Sequence, residues 1–159
     1  MTARPLPEAP PVGPHPPAAP SLLYAVKQVE LVVRAHLDEL LRPGGITALQ
    51  YTALTVLDRR DGATTAELAR SSFVTPQAMG DLVTALERRG LVERRPHPDN
   101  RRRLLIGLTE AGRDLLAGFA GPVHALEERM VRALTTEERS AFADYLNRAR
   151  VALAAEPAH

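Results

Sequence analysis

Apolar residues recur along most of this chain at three- and four-residue steps, and that recurrence outlines its elements. Ser21 is a good N-cap, and Leu22, Val26, Val29, Val33, Leu37 and Leu40 form one stripe of coiled-coil type, widened by Leu23, Leu31, Val32 and Leu41. A long helix is predicted to about Leu41, stopped by Arg42-Pro43-Gly44-Gly45. Its apolar surface exceeds what one neighbouring helix can cover. Either it is deeply buried in its own domain or part of it meets a second subunit, and the similar excess on the last helix favours the second. Thr47 with Gln50 forms a capping box for the next helix, with Ile46 placed to staple against Tyr51 and an end near Arg59-Arg60-Asp61-Gly62. Thr64 with Glu67 opens a short helix whose Leu68 and Ala69 face inwards, and Ser71-Ser72-Phe73-Val74 is read as the turn that follows.

Thr75 then caps a helix from about Pro76 to Arg89, ended by Gly90. Met79, Leu82, Val83 and Leu86 make its buried stripe, which leaves the small and polar Thr75, Gln77, Gly80, Asp81 and Thr84 on the other face. Leu91 to Arg95 and Arg102 to Leu108 read as two strands joined across the turn-forming run His97-Pro98-Asp99-Asn100-Arg101. Thr109 caps a helix to about Ala133, interrupted and kinked at Gly121-Pro122. Thr135 with Glu138 opens a last helix to about Ala154, with Phe142, Tyr145, Leu146, Ala149 and Leu153 as its apolar face. The predicted fold class is mostly α with a small β-hairpin, a winged helix-turn-helix (α+β) flanked by N- and C-terminal dimerisation helices.

Composition changes this picture in three places. Residues 1–20 hold eight prolines and almost no large apolar side chain, so a disordered, partly polyproline-II tail is expected there, a passive extension more than a ligand for a proline-binding partner. Residues 155–159 should fray. The 159-residue chain is then one domain over 21–154, with the winged helix-turn-helix at about 47–109 and dimerisation helices at about 21–41 and 110–154. The net charge of +1 points to no partner by itself, but seven arginines fall between Arg88 and Arg103 against Glu93 and Asp99, which focuses positive charge on the hairpin and its approach. Nineteen of the twenty basic residues are arginine, Lys27 being the exception, so the clustering carries the signal and the choice of arginine does not. With no cysteine there is no disulfide and no thiol ligand for a metal. His124 and Glu128 lie four apart on one helix and His36 on another, but they form no recognisable ligand motif, and no metal or other cofactor is expected. No nucleophile motif or phosphate-cradling glycine loop is present, so an enzyme is not expected. Neither a signal pattern nor an apolar run of about 18 residues is found, and a cytoplasmic protein without membrane contact is expected.

The stretch GLVERRPHPDNRRRLLIGLTEAG from Gly90 to Gly112, together with ITALQYTALTVL from Ile46 to Leu57 and AELARSSFVTPQAM from Ala66 to Met79, resembles the MarR family of transcriptional regulators over roughly residues 21–153. The resemblance implies a homodimer in which the first and last helices of both subunits interleave. Its two winged-helix lobes would bind a pseudo-palindromic DNA operator, most often as a repressor. The interface would include Leu22, Val26, Val29, Val33, Phe142, Tyr145, Leu146 and Leu153. The Thr75 to Arg89 helix would be the recognition helix. There Gln77 can pair with adenine, Thr75 and Thr84 can bond phosphates or bases, Pro76 can touch a thymine methyl, and Gly80 allows close approach. Thr75 is at least a helix cap, and a cap at a groove can serve both roles. Asp81 departs from the pattern, since a carboxylate facing phosphates is unfavourable unless it accepts from a cytosine N4 or a neighbouring arginine.

In the wing, the family's acidic residue two before an arginine falls on Asn100 and Arg102. Asn100 can hydrogen-bond Arg102 without the charge, and Asp99 is expected to share in shaping the tip. Arg101 or Arg102 would enter the minor groove, with Arg94, Arg95 and Arg103 on phosphates. The family often binds small aromatic acids or phenolic ligands between the first helix, the Thr47 helix and the start of the Thr109 helix, which places Tyr24, Lys27, Gln28 and Tyr51 as pocket candidates against an ordinary surface or interface role. The alternative function is a winged-helix interaction module that has lost DNA binding, which Asp81 and Asn100 would fit and the arginine cluster would not.

Overall fold

The structure is a computed structural model that describes residues 19–60 and 62–154, so the tail expected over 1–20 lies outside the described residues apart from Ala19 and Pro20, as does the end expected to fray over 155–159. Six helices and one hairpin follow in the order α1 (Leu22–Leu41), α2 (Ala48–Asp58), α3 (Thr65–Ser72), α4 (Pro76–Arg88), β1 (Val92–His97), β2 (Asn100–Leu108), α5 (Glu110–Val131) and α6 (Thr136–Ala154). The chain divides into two units between Val33 and Arg34.

In the first unit the Ser21 hydroxyl accepts from the Tyr24 N–H at 3.2 Å, as its place as N-cap requires. Leu22, Leu23, Val26, Val29, Leu31 and Val32 are all exposed.

The second unit is built around the stripe of α4. Met79, Val83 and Leu86 are fully buried with Leu41, Leu54, Leu57, Leu68, Val92 and Ile106, and each such side chain contributes about 1.5–3 kcal/mol by leaving water. The caps form as their spacing demands. Thr47 and Gln50 close a capping box, and Asp38 Oδ1 adds a second acceptor for the α2 N-terminus at 2.6 Å from the Ala48 nitrogen. Thr64 with Glu67, and Thr135 with Glu138, close two more. The Thr64 bonds, helped by Arg103 and Arg60, hold the Glu67 carboxyl below its ordinary 4.5. Tyr51 lies partly buried against the core, and that burial raises its hydroxyl above 10.0.

Two boundaries differ from the sequence reading. α3 runs on through Ser71 and Ser72, so the turn shrinks to Phe73 and Val74. The hairpin turn is Pro98-Asp99 alone, because pairing continues through Pro96 opposite Leu104 and His97 opposite Asn100. A register irregularity between Pro96 and His97 leaves Arg101, Arg102 and Arg103 outside the paired register, on the exposed end of β2. The helix capped by Thr109 runs on through Gly121-Pro122 as α5, as the sequence predicts. Pro122 cannot donate to the carbonyl of Gly118, but both residues are at the surface of this chain, where water can take that bond.

A knot of short contacts joins α4, the hairpin and α5. Gly90 adopts φ +71°, which reverses the chain after α4. The Thr109 hydroxyl donates to the Gly90 carbonyl at 2.6 Å and accepts from the Gly112 N–H at 3.1 Å. A Cβ on Gly112 would sit 2.2 Å from the Leu91 carbonyl oxygen, so α5 approaches the strand base as closely as glycine alone permits.

Candidate nucleic-acid interface

Two features present polar and cationic groups to solvent at one end of the second unit. The first is the outer face of α4. Its N-cap Thr75 accepts from the Ala78 N–H at 3.1 Å, and Pro76 occupies the first turn, where its missing N–H costs nothing. Thr75, Pro76, Gln77 and Asp81 are exposed, Gly80 is half-exposed, and nothing lies within 4 Å of the place a Gly80 Cβ would take. Thr84 stands apart from this group. Its hydroxyl donates to the Gly80 carbonyl at 2.9 Å and accepts from Arg94 at 3.3 Å, and the residue is half-buried.

The second feature is the hairpin tip. Arg101, Arg102 and Arg103 are exposed there. Asn100 Oδ1 accepts from the backbone N–H of Arg102 at 3.1 Å, and the Asp99 N–H donates to His97 Nδ1 at 3.1 Å. The tip is therefore shaped by two side chains bonding backbone N–H groups. Asn100 does hold Arg102, but by its main chain, which leaves the guanidinium outside that bond. Asp99 contributes its N–H, which the imidazole of His97, the first residue of the turn-forming run, accepts.

The remaining two hairpin arginines point to scaffold work. Arg94 pairs with Glu87 of α4 as well as with Thr84, which ties the first strand to the helix. Arg95 is half-buried beside Gly62 and Gly107, where it lines a cleft of about 420 Å³ behind the hairpin with Asp58, Arg59, Glu93, Glu110 and Arg113. Arg94 is thus engaged in an ion pair within the lobe, and Arg95 is placed beside that cleft. Arg89, which sequence reasoning passed over, bonds the Gly45 carbonyl at 2.7 Å and the Gly44 carbonyl at 2.6 Å. That fork fixes the C-terminal end of α4 to the α1–α2 junction, and no local pattern could have announced a pairing 44 positions away.

Of the four pocket candidates, Tyr24, Lys27 and Gln28 lie in the first unit and Tyr51 in the second. Within the first unit Lys27 pairs with Glu30 at 3.1 Å, and Gln28 donates to the Tyr24 hydroxyl at 2.9 Å. Tyr51 belongs to the core of the second unit. Among the described residues no group of three or more His, Asp or Glu side chains could hold a metal ion, and no helix is long and apolar enough to cross a membrane.

On α6, Tyr145, Leu146, Val151 and Leu153 are exposed, and Phe142 is half-buried. The face drawn from the sequence therefore forms, and the described residues leave most of it in solvent.

Known proteins are similar to this chain in sequence and fold. The MarR family model matches residues 44–103, which span α2 to the hairpin tip. The chain is 34% identical over 119 residues to the HTH-type transcriptional repressor Rv2887 of Mycobacterium tuberculosis, covering 75% of this chain and 86% of that one. Among solved structures, the transcriptional repressor CouR bound to a 23-mer DNA duplex superposes with a TM-score of 0.72 at 30% identity, covering 82% of this chain and 92% of CouR. The MepR–DNA complex of S. aureus superposes with a TM-score of 0.73 at 25% identity, over 83% and 98% of the two chains. With the capped recognition-type helix, the arginine-tipped hairpin and these relatives in agreement, the chain belongs to the MarR family of winged helix-turn-helix transcriptional regulators.

Proposed function

We propose that this regulator binds a pseudo-palindromic DNA operator as a homodimer, acts as a repressor in the cytoplasm, and performs no chemical step of its own. The observation that carries the reading is the pairing of an exposed, small and polar α4 face with three exposed arginines at the hairpin tip. Thr75, Pro76, Gln77 and Gly80 meet base edges and adjacent phosphates in the major groove, and Asp81 accepts from a cytosine N4 there. Arg101 or Arg102 enters the minor groove while Arg103 holds a phosphate. Relatives that are repressors, and neighbours solved on DNA, support this over a winged-helix interaction module.

The dimer is supported by the apolar side chains that α1 and α6 each leave in solvent. It converts one reading surface into two, with half-sites about one helical turn, roughly 10 base pairs, apart. Release by a small aromatic or phenolic acid belongs to the same reading, since a ligand need only favour a dimer whose recognition helices no longer match that spacing. Lys27, on α1, is a cation suited to such a carboxylate.

Titration of the protein with duplexes from upstream of its own gene tests the reading. Binding should weaken by about 10³ to 10⁵ between 50 and 200 mM salt if six to ten phosphates are neutralised. Salt-insensitive binding, or none, would contradict it.

A further inference from the structure

Two helices of the winged-helix lobe end in the same hydrogen-bonded motif but with different residues at its left-handed position. After α4, Leu91 N–H reaches the Leu86 carbonyl at 3.1 Å and Gly90 N–H reaches Glu87 at 2.9 Å, and glycine takes the left-handed place. After α3, Val74 N–H reaches Ala69 at 3.1 Å and Phe73 N–H reaches Arg70 at 3.4 Å, and the left-handed place, φ +56°, is taken by phenylalanine. A Cβ in that conformation crowds its own backbone, which is why glycine or asparagine is the usual choice.

The ring gives the fold little in return. The chain has three phenylalanines. Phe119 packs against the core and Phe142 is half-buried, whereas Phe73 is 75% exposed. The preceding Ser72 is also unfavourably placed, with a buried hydroxyl that has no hydrogen-bond partner among the described residues. Backbone strain of this kind gathers at binding sites. This turn lies immediately before Thr75, the N-cap of α4, and it is the N-terminal residues of a recognition helix that reach base edges.

We propose that Phe73 is a specificity-determining contact, its ring meeting the 5-methyl group of a thymine at one position in each half-site. The inference rests on α4 being the recognition helix. A phenyl ring has no donor or acceptor for a phosphate, and the thymine methyl is the apolar landmark of the major groove.

The test uses the full chain and a duplex selected by it from a random library. Each thymine is replaced in turn by deoxyuridine, which removes the methyl group alone, for wild type, Phe73→Ala, Phe73→Gly and the double variant Arg101→Ala/Arg102→Ala. Wild type should lose about fourfold in affinity per half-site at one thymine position, the value of burying one carbon. Phe73→Ala and Phe73→Gly should bind the unaltered duplex that much more weakly and show no thymine preference at that position. Because glycine suits the left-handed backbone, Phe73→Gly should melt no lower than wild type while binding less well, a split that a purely structural role does not produce. The arginine double variant should lose affinity yet keep the thymine preference.

Wild-type affinity in Phe73→Ala and Phe73→Gly, or an unchanged thymine preference in both, would overturn the proposal while leaving the DNA-binding reading intact. If wild type selects no duplex, that reading falls and the Phe73 contact with it.

Discussion

The winged-helix lobe and the terminal helices use the same sequence devices and reach different ends. Both are opened by hydroxyl caps, and both carry apolar stripes at helical spacing. In the lobe, Met79, Val83 and Leu86 of the α4 stripe are fully buried in a core shared with α2, α3, the hairpin and Leu41, and Leu82 is half-buried. On α6, the corresponding Tyr145, Leu146 and Leu153 are left in solvent, as are Leu22, Val26 and Val29 on α1. The lobe therefore buries its own core, whereas the terminal helices carry apolar side chains that the described residues leave in solvent. Stability of the reading head and assembly of the regulator should then be separable properties.

Core truncation should give the largest effect and the sharpest contrast. Leu86→Ala should cost about 2–5 kcal/mol in urea unfolding, since it removes a fully buried side chain from the lobe. Leu146→Asp should leave the fold of the lobe unchanged by near-native amide spectra, yet shift the mass in solution towards a single chain. If Leu146→Asp unfolds the lobe as Leu86→Ala does, the two regions are not separable and the comparison fails.

Gly112→Ala comes next. Its Cβ would collide with the Leu91 carbonyl, and a loss of about 1–3 kcal/mol is expected from such overpacking. The same change at Gly118, which has nothing within 4 Å, should not destabilise. Equal losses at both sites would mean that the α5–hairpin contact is not as tight as described.

A smaller effect is expected from the charged ties. Arg89→Ala removes two hydrogen bonds to the α1–α2 junction and should cost about 1 kcal/mol of stability, because the guanidinium is exposed and water replaces part of the bonding. Its larger consequence should be on DNA, as a broadened tolerance for half-site spacing measured on duplexes with one or two base pairs added or removed. Unaltered spacing preference would reduce Arg89 to a surface contact.

The smallest effect is the pH dependence that Glu67 confers. Its folded carboxyl lies below the ordinary 4.5, so its contribution is fully present above that value and is lost as pH falls through the lower folded value. Glu67→Gln should flatten the acid limb of the stability profile of the lobe, and an identical acid limb in the two proteins would remove Glu67 from the account.

What the chain disclosed in advance follows from range of interaction. The caps at Thr47, Thr64, Thr75, Thr109 and Thr135 are decided within three residues, and each forms as read. The buried stripe of α4 was legible for the same reason. The hairpin tip was read too long because Pro96, His97 and Asn100 all favour turns locally, while pairing with Leu104 and the bond from Asn100 to the Arg102 N–H draw them into the strands. Phe73 hid the end of α3, since a bulky residue in the left-handed position is the opposite of the glycine signal. The ties from Arg94 to Glu87 and from Arg89 to Gly44 and Gly45 set which arginines are structural. They join distant positions by charge and geometry that periodicity does not encode.

The central claim is that the terminal helices assemble two copies of the lobe onto one operator. Sedimentation of the full chain, alone and with a single palindromic duplex, measures this directly. The account expects a free species of twice 17.3 kDa and a complex holding two chains per duplex, both reduced to single chains by Leu146→Asp with a steep loss of DNA affinity. A wild-type species of 17.3 kDa that binds the duplex with one chain at full affinity would contradict it.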